Sequence, residues 1–530
     1  MKTLRRLEEM LKRGGMSRRD FMGSATALGV TAAAATSLFD KAARAAPKKG
    51  GHLRAGLAGA STSDTLDAAT HSDTFMQMFA MGMLYNCLTE VKADGALGPE
   101  LAESWEPSAD AATWTFNLRK GVTWHNGKDF EAQDVIETMH HHMGEDSKSA
   151  AKPIVAPIET IKADGKHRVV FTLKSGNADF PYLLSDYHLV IYPSGQMQES
   201  FKTGNGTGGY IMESFEPGVR GSAKRNPNYF KSDRAHFDSV ELVAIADAAA
   251  RMSALNTNEV DVINRVDLKT IRLMQRNPNI AVFEVTGNQH YTFPMITTQQ
   301  PFDNNEMRTA LKYAIDRDEL VQKILRGHGL PANDHPIGPA NQYFAGSLEQ
   351  RPYDPDKAKF HWKKSGVGDI VLDLSAADAA FPGAVDAAVL YKEHAAKAGI
   401  NINVIREPND GYWSNVWMRK SWCACYWSGR ATEDWMFGTA YEAGVPWNDT
   451  FWDNKRFNEL LLKARAELDT NKRREMYFEM QQIVRDDGGV VVPMYANYVD
   501  AASTKLAHEE AIGNNWQLDG VRLAERWWFA

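Results

Sequence analysis

The sequence predicts an α/β protein with more than one lobe. Segments with the two-residue alternation of strands are mixed with segments that have the 3.6-residue spacing of amphipathic helices. No repeat of fixed length links these segments, as it would in a solenoid or a propeller. The length of 530 residues corresponds to two to four domains of roughly 100–200 residues each.

The first half of the chain contains the clearest strand pattern. Residues 113–119 alternate apolar and polar side chains and predict a strand, and residues 132–143 then predict a helix. A glycine-dense loop is expected at 204–209. Further strands are predicted at 166–174, 241–245 and 259–263, and a further helix at 251–255.

The second half is more helical. Asp303 and Glu306 have the spacing of a capping box, with Asp303 as the predicted N-cap, and apolar residues from Met307 to Ile315 follow on one helix face. Gly327 is predicted to end this helical region. The other predicted elements are a helix at 384–398 before Gly399, a strand at 400–405, two helices within 456–485 and a buried strand at 490–492.

Composition and charge exclude several classes of protein. Hydrophobic residues make up 43%, charged residues 24% and aromatic residues 10% of the chain, as in ordinary globular proteins rather than disordered, collagen-like or polytopic membrane chains. Three cysteines are too few for a disulfide scaffold. With 60 Lys and Arg against 67 Asp and Glu, the net charge of −7 argues against a nucleic-acid partner.

Residues 1–45 read as an export signal. The sequence S-R-R-D-F-M at 17–22 is similar to the twin-arginine motif, a weakly apolar stretch follows to Phe39, and A-R-A at 43–45 fits a cleavage site. The stretch is too short and too weakly apolar for the alternative of a membrane anchor. We expect the twin-arginine export machinery as a partner, Ala46 as the first mature residue and a periplasmic product.

Eight motifs in order resemble those of the extracellular solute-binding proteins of ABC importers, in the family of dipeptide, oligopeptide, nickel and opine receptors. Each motif is weak alone, but together they span nearly all of the expected mature chain. They are G-P-E-L-A-E-S-W at 98–105, F-N-L-R-K-G-V-T-W-H-N-G at 116–127, F-E-A-Q-D-V at 130–135, G-T-G-G-Y at 206–210, R-N-P-N-Y-F at 225–230, P-F-D-N at 301–304, R-T-A-L-K-Y-A-I-D-R at 308–317 and Y-D-P-D-K-A at 353–358.

This resemblance implies a two-lobed periplasmic-binding-protein clamshell with a discontinuous first lobe. Lobe I is expected at 46–90, 200–295 and 497–530, an accessory domain at 91–199, and lobe II at 296–496. The implied function is capture of a peptide or peptide-like small solute by lobe closure, followed by delivery to ABC permease subunits in the inner membrane. A monomer without catalytic activity, cofactor or metal is expected.

The resemblance also directs attention to a tryptophan-rich segment. Seven of the 14 Trp residues lie between Trp413 and Trp452. Peptide-binding relatives carry here an Asp that pairs with the ligand's ammonium group, whereas this chain aligns Gly429 and Arg430 with that position. A guanidinium suits a carboxylate or phosphate, so an anionic, opine-like or modified amino-acid ligand is an alternative. A structural pair of Arg430 with Glu433 or Asp434 is equally compatible.

Further ligand contacts are predicted around this segment. Large flat aromatic side chains suit the wall of a cleft, although each can equally be core packing. The complete set of predicted ligand-binding residues is His71, Trp413, Trp427, Ser428, Gly429, Arg430, Asp434, Trp447, Asn448 and Tyr498.

The sequence gives less support to a metal-binding site or to an enzyme than to a solute-binding protein. Cys423 and Cys425 lack nearby metal ligands, and with Cys87 they read as buried thiols. Consecutive residues on a helix face different directions, so His140-His141-His142 favours a solvated helix end over a chelate. A secreted hydrolase remains an alternative, although neither G-x-S-x-G nor H-E-x-x-H occurs. A surface scaffold would show repeats, and none occurs.

Overall fold

A computed structural model of the protein describes residues 18–27, 47–409 and 411–530. The predicted export signal lies mostly outside these residues, except for one helix in which Phe21 and Ala25 are buried. The strands of the described residues are β1 (His52–Leu57), β2 (Thr89–Val91), β3 (Leu97–Pro99), β4 (Ala102–Pro107), β5 (Thr113–Leu118), β6 (Ile158–Ala163), β7 (Arg168–Leu173), β8 (Tyr210–Glu216), β9 (Arg220–Arg225), β10 (Ser239–Ala244), β11 (Val262–Ile263), β12 (Ile280–Pro294), β13 (Gly329–Pro331), β14 (Val371–Ala376), β15 (Asn401–Arg406), β16 (Cys425–Trp427), β17 (Val490–Ser503), β18 (Leu506–Ala507) and β19 (Trp528–Phe529).

Helices are interspersed with these strands, and short turns occur at Ala68–Thr70, Ala80–Leu84 and Gln517–Gly520. The helices of the described residues are α1 (Arg18–Ala27), α2 (Thr74–Phe79), α3 (Ala132–Met143), α4 (Lys152–Val155), α5 (Phe180–Leu183), α6 (Met197–Thr203), α7 (Ala248–Asn256), α8 (Ile271–Met274), α9 (Asn305–Tyr313), α10 (Arg317–Lys323), α11 (Pro355–Ser365), α12 (Ala384–Ala396), α13 (Tyr412–Asn415), α14 (Glu433–Ala440), α15 (Lys455–Ala466), α16 (Thr470–Asp487) and α17 (Leu523–Arg526). Within the described residues, none of them combines the length and apolar character that a membrane crossing requires.

The largest sheet of the described residues joins distant parts of the chain. Its strands follow the order β16-β12-β17-β11-β1-β10-β9-β8, with β13 also paired to β17. β1 pairs in parallel with β10 and β11, whereas the outer pairs are antiparallel. All three pieces predicted for lobe I contribute to this sheet, and the predicted boundary at 496/497 falls within β17. The division into lobes stays a prediction.

Two smaller sheets lie in the other predicted units. β4, β5, β7 and β6 form an antiparallel sheet within 102–173, and β14 pairs in parallel with β15. One apolar cluster is formed only by residues between Leu88 and Ile191, and another only by residues between Tyr291 and Ala496. Separate cores of this kind are typical of separate domains.

β12 and β17 are long strands that form one antiparallel ladder. Regular pairing runs from Ile280↔Ser503 to Thr286↔Asn497 and resumes at His290↔Tyr495. The register shift in between leaves 287–289 outside the regular pairing. A bulge of this kind changes the direction and twist of a strand locally, and the candidate site lies beside it.

Most predicted elements agree with the structure in type and position. The helix at 132–143 has the predicted bounds, and the strand at 113–119 ends one residue early, at Leu118. The helix pair in 456–485 breaks at Asp469, whose side chain caps α16. The strand predicted at 259–263 is limited to Val262–Ile263.

The predicted N-cap of α9 is wrong. Asn304, rather than Asp303, accepts hydrogen bonds from the backbone amides of Glu306 and Met307. The Asp303 amide donates instead to the Gln299 carbonyl, which places Asp303 in the turn before the helix. Asp and Asn both favour the N-cap position. Which of the two residues caps α9 is therefore decided by the path of the preceding loop.

A cluster of buried charged side chains connects the segment around Glu90 and Glu100 with Lys231 and with the C-terminal residues Arg522 and Glu525. Lys231 Nζ donates to Glu90, Glu100 and Glu525 at 2.7, 2.8 and 2.9 Å. Arg522 binds both carboxylate oxygens of Glu100 at 2.7 and 2.8 Å and one oxygen of Glu525 at 2.8 Å. Bidentate geometry and complete pairing compensate the desolvation of buried charges.

Loss of one cation from this cluster is expected to destabilise the fold strongly. Arg522→Met leaves Glu100 and Glu525 buried with one cation fewer, and the free energy of unfolding should fall by roughly 3–5 kcal/mol. Urea unfolding measures this effect. Arg456→Met removes an exposed pair with Glu479 as a control and should leave the free energy of unfolding nearly unchanged, because exposed ion pairs contribute little; equal losses in the two variants would contradict the prediction.

Candidate functional site

The loop at 428–430 lies beside the bulge of the β12–β17 ladder. β16 pairs antiparallel with β12 and places Trp427 opposite His290, immediately before the loop. Tyr498 Oη donates to the Ser428 carbonyl at 2.9 Å, and Asn288 Nδ2 donates to the Arg430 carbonyl at 2.8 Å. Side chains from both long strands therefore fix the loop.

Gly429 is required by this close contact between loop and strand. Its φ is +79°, in the left-handed region that glycine tolerates. A Cβ atom at this position would lie 2.2 Å from the Asn288 backbone oxygen. Glycine at this position therefore allows the loop to pack closely against Asn288. This packing fixes the backbone immediately before Arg430.

The Arg430 guanidinium has no carboxylate partner. Its Nη1 donates to the Gly429 carbonyl at 2.8 Å, and its Cζ lies 5.6 Å from the centre of the Trp435 ring. In the described part of the chain, no carboxylate forms an ion pair with it. Asp434 accepts from Arg465 Nε at 2.9 Å and Glu433 from the Tyr343 amide at 2.6 Å, so the alternative structural pair with either acid does not occur.

The Arg430 charge acts on two tyrosine phenols from distant segments of the chain. Burial raises the pKa of the Tyr187 phenol, whereas the Arg430 charge and a hydrogen bond with Gln77 lower it. Burial also raises the pKa of Tyr498, and the Arg430 charge again opposes the shift. The Tyr187 ring lies edge-on to Trp516 at 5.4 Å. Tyr498 was predicted from sequence, and Gln77, Tyr187 and Trp516 were not.

Neutral His290 forms the base of the loop. It is fully buried, and burial lowers its pKa to about 4, with the Arg430 charge adding to this effect. Its Nδ1 lies 3.1 Å from the Asn288 carbonyl oxygen, which accepts a hydrogen bond. Because His290 is neutral, it adds no positive charge to that of Arg430.

The tryptophans next to the loop form a cluster. The rings of Trp417, Trp427 and Trp447 lie 6.1–6.4 Å apart and are inclined by 52–70°. Trp427 is 6% exposed, whereas Trp413 and Trp447 are 40% and 45% exposed. Trp427 thus packs inside the cluster, whereas Trp413 and Trp447 are accessible at its surface, and their role as a cleft wall stays a prediction.

A buried carboxylate lies beneath this cluster. Asp449 Oδ2 accepts a hydrogen bond from Trp417 Nε1 at 3.1 Å. Burial raises the pKa of Asp449 to about 7, although hydrogen bonds with Trp417, Cys425 and Trp427 lower it. The carboxyl group thus links the cluster to β16.

Three other predicted ligand residues have structural partners. His71 is buried, its Nε2 lies 2.9 Å from the Thr65 carbonyl, and burial lowers its pKa to about 4. Asn448 donates to the Trp452 carbonyl at 2.8 Å in a buried turn. Asp434 pairs with Arg465. These contacts favour structural roles, and ligand contact by these residues stays a prediction.

The thiol and histidine motifs also have structural surroundings. Cys87, Cys423 and Cys425 are buried free thiols, as predicted. The predicted solvated helix end of α3 holds for His140, which is exposed, but not for His142, which is buried with its Nδ1 2.6 Å from Ser149 Oγ. His141 Nε2 lies 3.0 Å from Asp67.

Comparison with known proteins places the chain in a sequence family. The model of the bacterial extracellular solute-binding proteins, family 5 (middle region), matches residues 96–449. Di/tripeptide-binding protein 1 of Pseudomonas aeruginosa (strain UCBPP-PA14) is 26% identical over 466 residues, which cover 80% of this chain and 86% of that protein.

Solved structures with the same fold include two ligand complexes. The periplasmic binding protein DppA of Helicobacter pylori in complex with the peptide STSA has a TM-score of 0.77 at 22% identity, covering 91% of this chain and 99% of that one. The binding protein AgaA of A. tumefaciens R10 in complex with agropinic acid has a TM-score of 0.76 at 22% identity, with the same coverage. This likeness confirms the α/β clamshell fold.

The Asp449 carboxyl group is expected to make stability depend on pH. Its pKa is raised from the model-compound value of 3.8 to about 7 by folding, so its contribution favours the folded state at low pH and is lost as the pH rises towards 7. Asp449→Asn keeps an acceptor for Trp417 and removes this titration. Between pH 5 and 7.5, wild type should lose about 2 kcal/mol more of its unfolding free energy than the variant.

Denaturant unfolding at several pH values measures this difference. Asp369→Asn, at an exposed position, serves as the control and should retain the wild-type dependence on pH. An identical slope for wild type and Asp449→Asn would show that the Asp449 carboxyl group does not titrate in this range.

Proposed function

Because the chain belongs to the bacterial extracellular solute-binding proteins of family 5, we propose that it captures a small peptide-like solute with a carboxylate and delivers it to an ABC permease. Proteins of this family bind solutes for ABC importers and are not enzymes, so the secreted hydrolase is not retained. The proposal includes a periplasmic location and export through the twin-arginine route, which the S-R-R-D-F-M motif at 17–22 supports.

The single observation that carries the ligand class is the unpaired guanidinium of Arg430. A charge in a partly desolvated cleft is costly without a counter-ion, and a guanidinium presents paired donors that match a carboxylate. The Arg430 charge lowers the pKa of both Tyr187 and Tyr498, so these phenols lie within reach of its field. The names of relatives that bind di- and tripeptides or agropinic acid support a peptide or an opine, and both carry carboxylates.

Closure of the two lobes around the solute supplies the signal for the permease. A ligand shifts an open–closed equilibrium only by its differential affinity for the two states. Arg473 Nη2 pairs with Asp179 Oδ2 at 2.7 Å, and the Ala178 amide donates to the Arg465 carbonyl at 2.6 Å. These contacts join the predicted accessory domain to predicted lobe II and would stabilise a closed arrangement.

Arg430→Ala is expected to weaken carboxylate binding about 10- to 100-fold, because a hydrogen bond to a charged group contributes roughly 1.5–3 kcal/mol. Titration calorimetry would use three probes: the peptide STSA, its C-terminal amide and agropinic acid. Wild type should prefer STSA to the amide, and Arg430→Lys should retain part of the affinity.

Arg419→Ala provides the matched control, because Arg419 is an exposed arginine in the same segment and should leave binding unchanged. Native mass spectrometry of the purified wild-type protein would identify any solute that it retains. Equal affinity for STSA and its amide, with no effect of Arg430→Ala, would overturn the proposed role of Arg430.

A further inference from the structure

The predicted accessory domain contacts predicted lobe II at a small polar site. Arg473 Nη2, near the start of α16, lies 2.7 Å from Oδ2 of Asp179, the residue directly before α5. The neighbouring Ala178 amide donates to the Arg465 carbonyl at 2.6 Å. We call these two contacts the clasp. Among the described helices and strands, none of the accessory domain packs extensively against one of lobe II, and the apolar clusters of the two units are separate.

The clasp is built on well-fixed parts of lobe II. Arg465 is the last residue but one of α15, so its carbonyl has no partner within the helix, and the Ala178 amide supplies one. The Arg473 guanidinium lies 5.3 and 5.5 Å from the ring centres of Tyr343 and Tyr477, at distances typical of cation–π contacts. Lobe II therefore presents a carbonyl and a guanidinium side by side to the loop before α5.

The ion pair of the clasp depends on the accessory domain. Asp179 and Arg473 are only 3% and 7% exposed, and no other carboxylate within the described ranges forms an ion pair with Arg473. Two acids of lobe II lie nearby, but Asp434 pairs with another arginine and Glu433 accepts a backbone amide. Separation of the two units would therefore leave Arg473 without its acid partner.

The geometry of this pair is less complete than that of the structural ion pairs. In the described part of the chain, Asp179 Oδ2 and Arg473 Nε have no hydrogen-bond partner, and Arg473 Nη2 donates to Tyr477 Oη at 3.4 Å. By contrast, Arg317 Nη2 donates to both oxygens of Asp334 at 2.6 Å. Buried atoms without hydrogen bonds make a contact weaker, which suits a contact that opens and closes.

The accessory domain is attached much more firmly to predicted lobe I. Its Glu100 accepts from Lys231 Nζ at 2.8 Å and from both terminal guanidinium nitrogens of Arg522 at 2.7 and 2.8 Å. Both cations belong to predicted lobe I, and the pair with Arg522 is bidentate. We therefore expect the accessory domain to move with lobe I, so that a contact between it and lobe II also holds the two lobes together.

We propose that the clasp keeps part of the solute-free protein closed, which makes the accessory domain part of the closing device. Asp179 and Arg473 act here as positioning residues that shift the open–closed equilibrium. Loss of the clasp lowers the population of the closed state, and the apparent affinity for a solute falls with that population. The inference rests on the proposed function only in assigning solute binding to the closed state.

Hydrogen exchange of the full protein without added solute tests the clasp directly. Arg473→Met removes the charge and keeps an unbranched side chain between the tyrosine rings, and Asp179→Asn removes the charge from the other side. In each variant, amide exchange within 176–179 and 465–472 should become at least about fivefold faster. The radius of gyration from small-angle X-ray scattering should increase, because more molecules are open. Arg473→Lys keeps the charge and should show smaller changes.

Arg474→Met provides the matched control, because Arg474 is exposed on the same helix and contacts Gln342 and Tyr343 within lobe II. It should leave exchange and radius unchanged. Unchanged exchange at 176–179 in both clasp variants would overturn the inference. Faster exchange at an unchanged radius would overturn it as well, since the contact would then be a fixed interface.

Titration of the peptide STSA separates the inference from the proposed function. In Arg473→Met and Asp179→Asn, the Kd for STSA should rise about three- to tenfold relative to wild type and Arg474→Met. An unchanged Kd in both clasp variants would overturn the role of the clasp in closure. Absence of STSA binding to wild type would count against the proposed function alone, because the exchange and scattering measurements contain no solute.

Discussion

The antiparallel ladder of β12 and β17 is the constraint on which the rest of the site depends. Both strands are much longer than the usual five to six residues, and within the large sheet they also pair with β16, β13 and β11. Their register shift frees Asn288 to bind the Arg430 carbonyl, while Tyr498 on the partner strand binds the Ser428 carbonyl. A binding loop held by strands in this way needs few contacts of its own.

The protein treats buried charges in two different ways. In the cluster around Lys231 and Arg522, each carboxylate accepts from a cation at 2.7–2.9 Å, and the cluster joins segments far apart in the chain. At the site, by contrast, no carboxylate of the described residues pairs with Arg430, whose Nη1 donates to the Gly429 carbonyl. A charge without a counter-ion reduces stability, and the carboxylate of the proposed ligand would supply that counter-ion to Arg430.

The tryptophan cluster combines buried and exposed side chains in one segment of the chain. Trp427 packs between Trp417 and Trp447, and Asp449 below accepts a hydrogen bond from Trp417. The exposed faces of Trp413 and Trp447 remain available to a solute. Because the rings pack against one another and the Trp417 indole N–H is bound to Asp449, these side chains have little freedom to move.

The sequence by itself determined the family, the α/β class and most elements, because these follow from local patterns: alternation at 113–119, helical spacing at 132–143 and eight ordered motifs. It also predicted Arg430 and Tyr498 as ligand residues, and that prediction awaits a binding measurement. Only the tertiary structure decided that Asn304 caps α9, that Trp427 is interior, and that Tyr187 packs against Trp516 within the field of Arg430. Contacts between residues hundreds of positions apart depend on how the lobes and strands pack. The periodicity of the sequence reports only local structure and therefore cannot predict them.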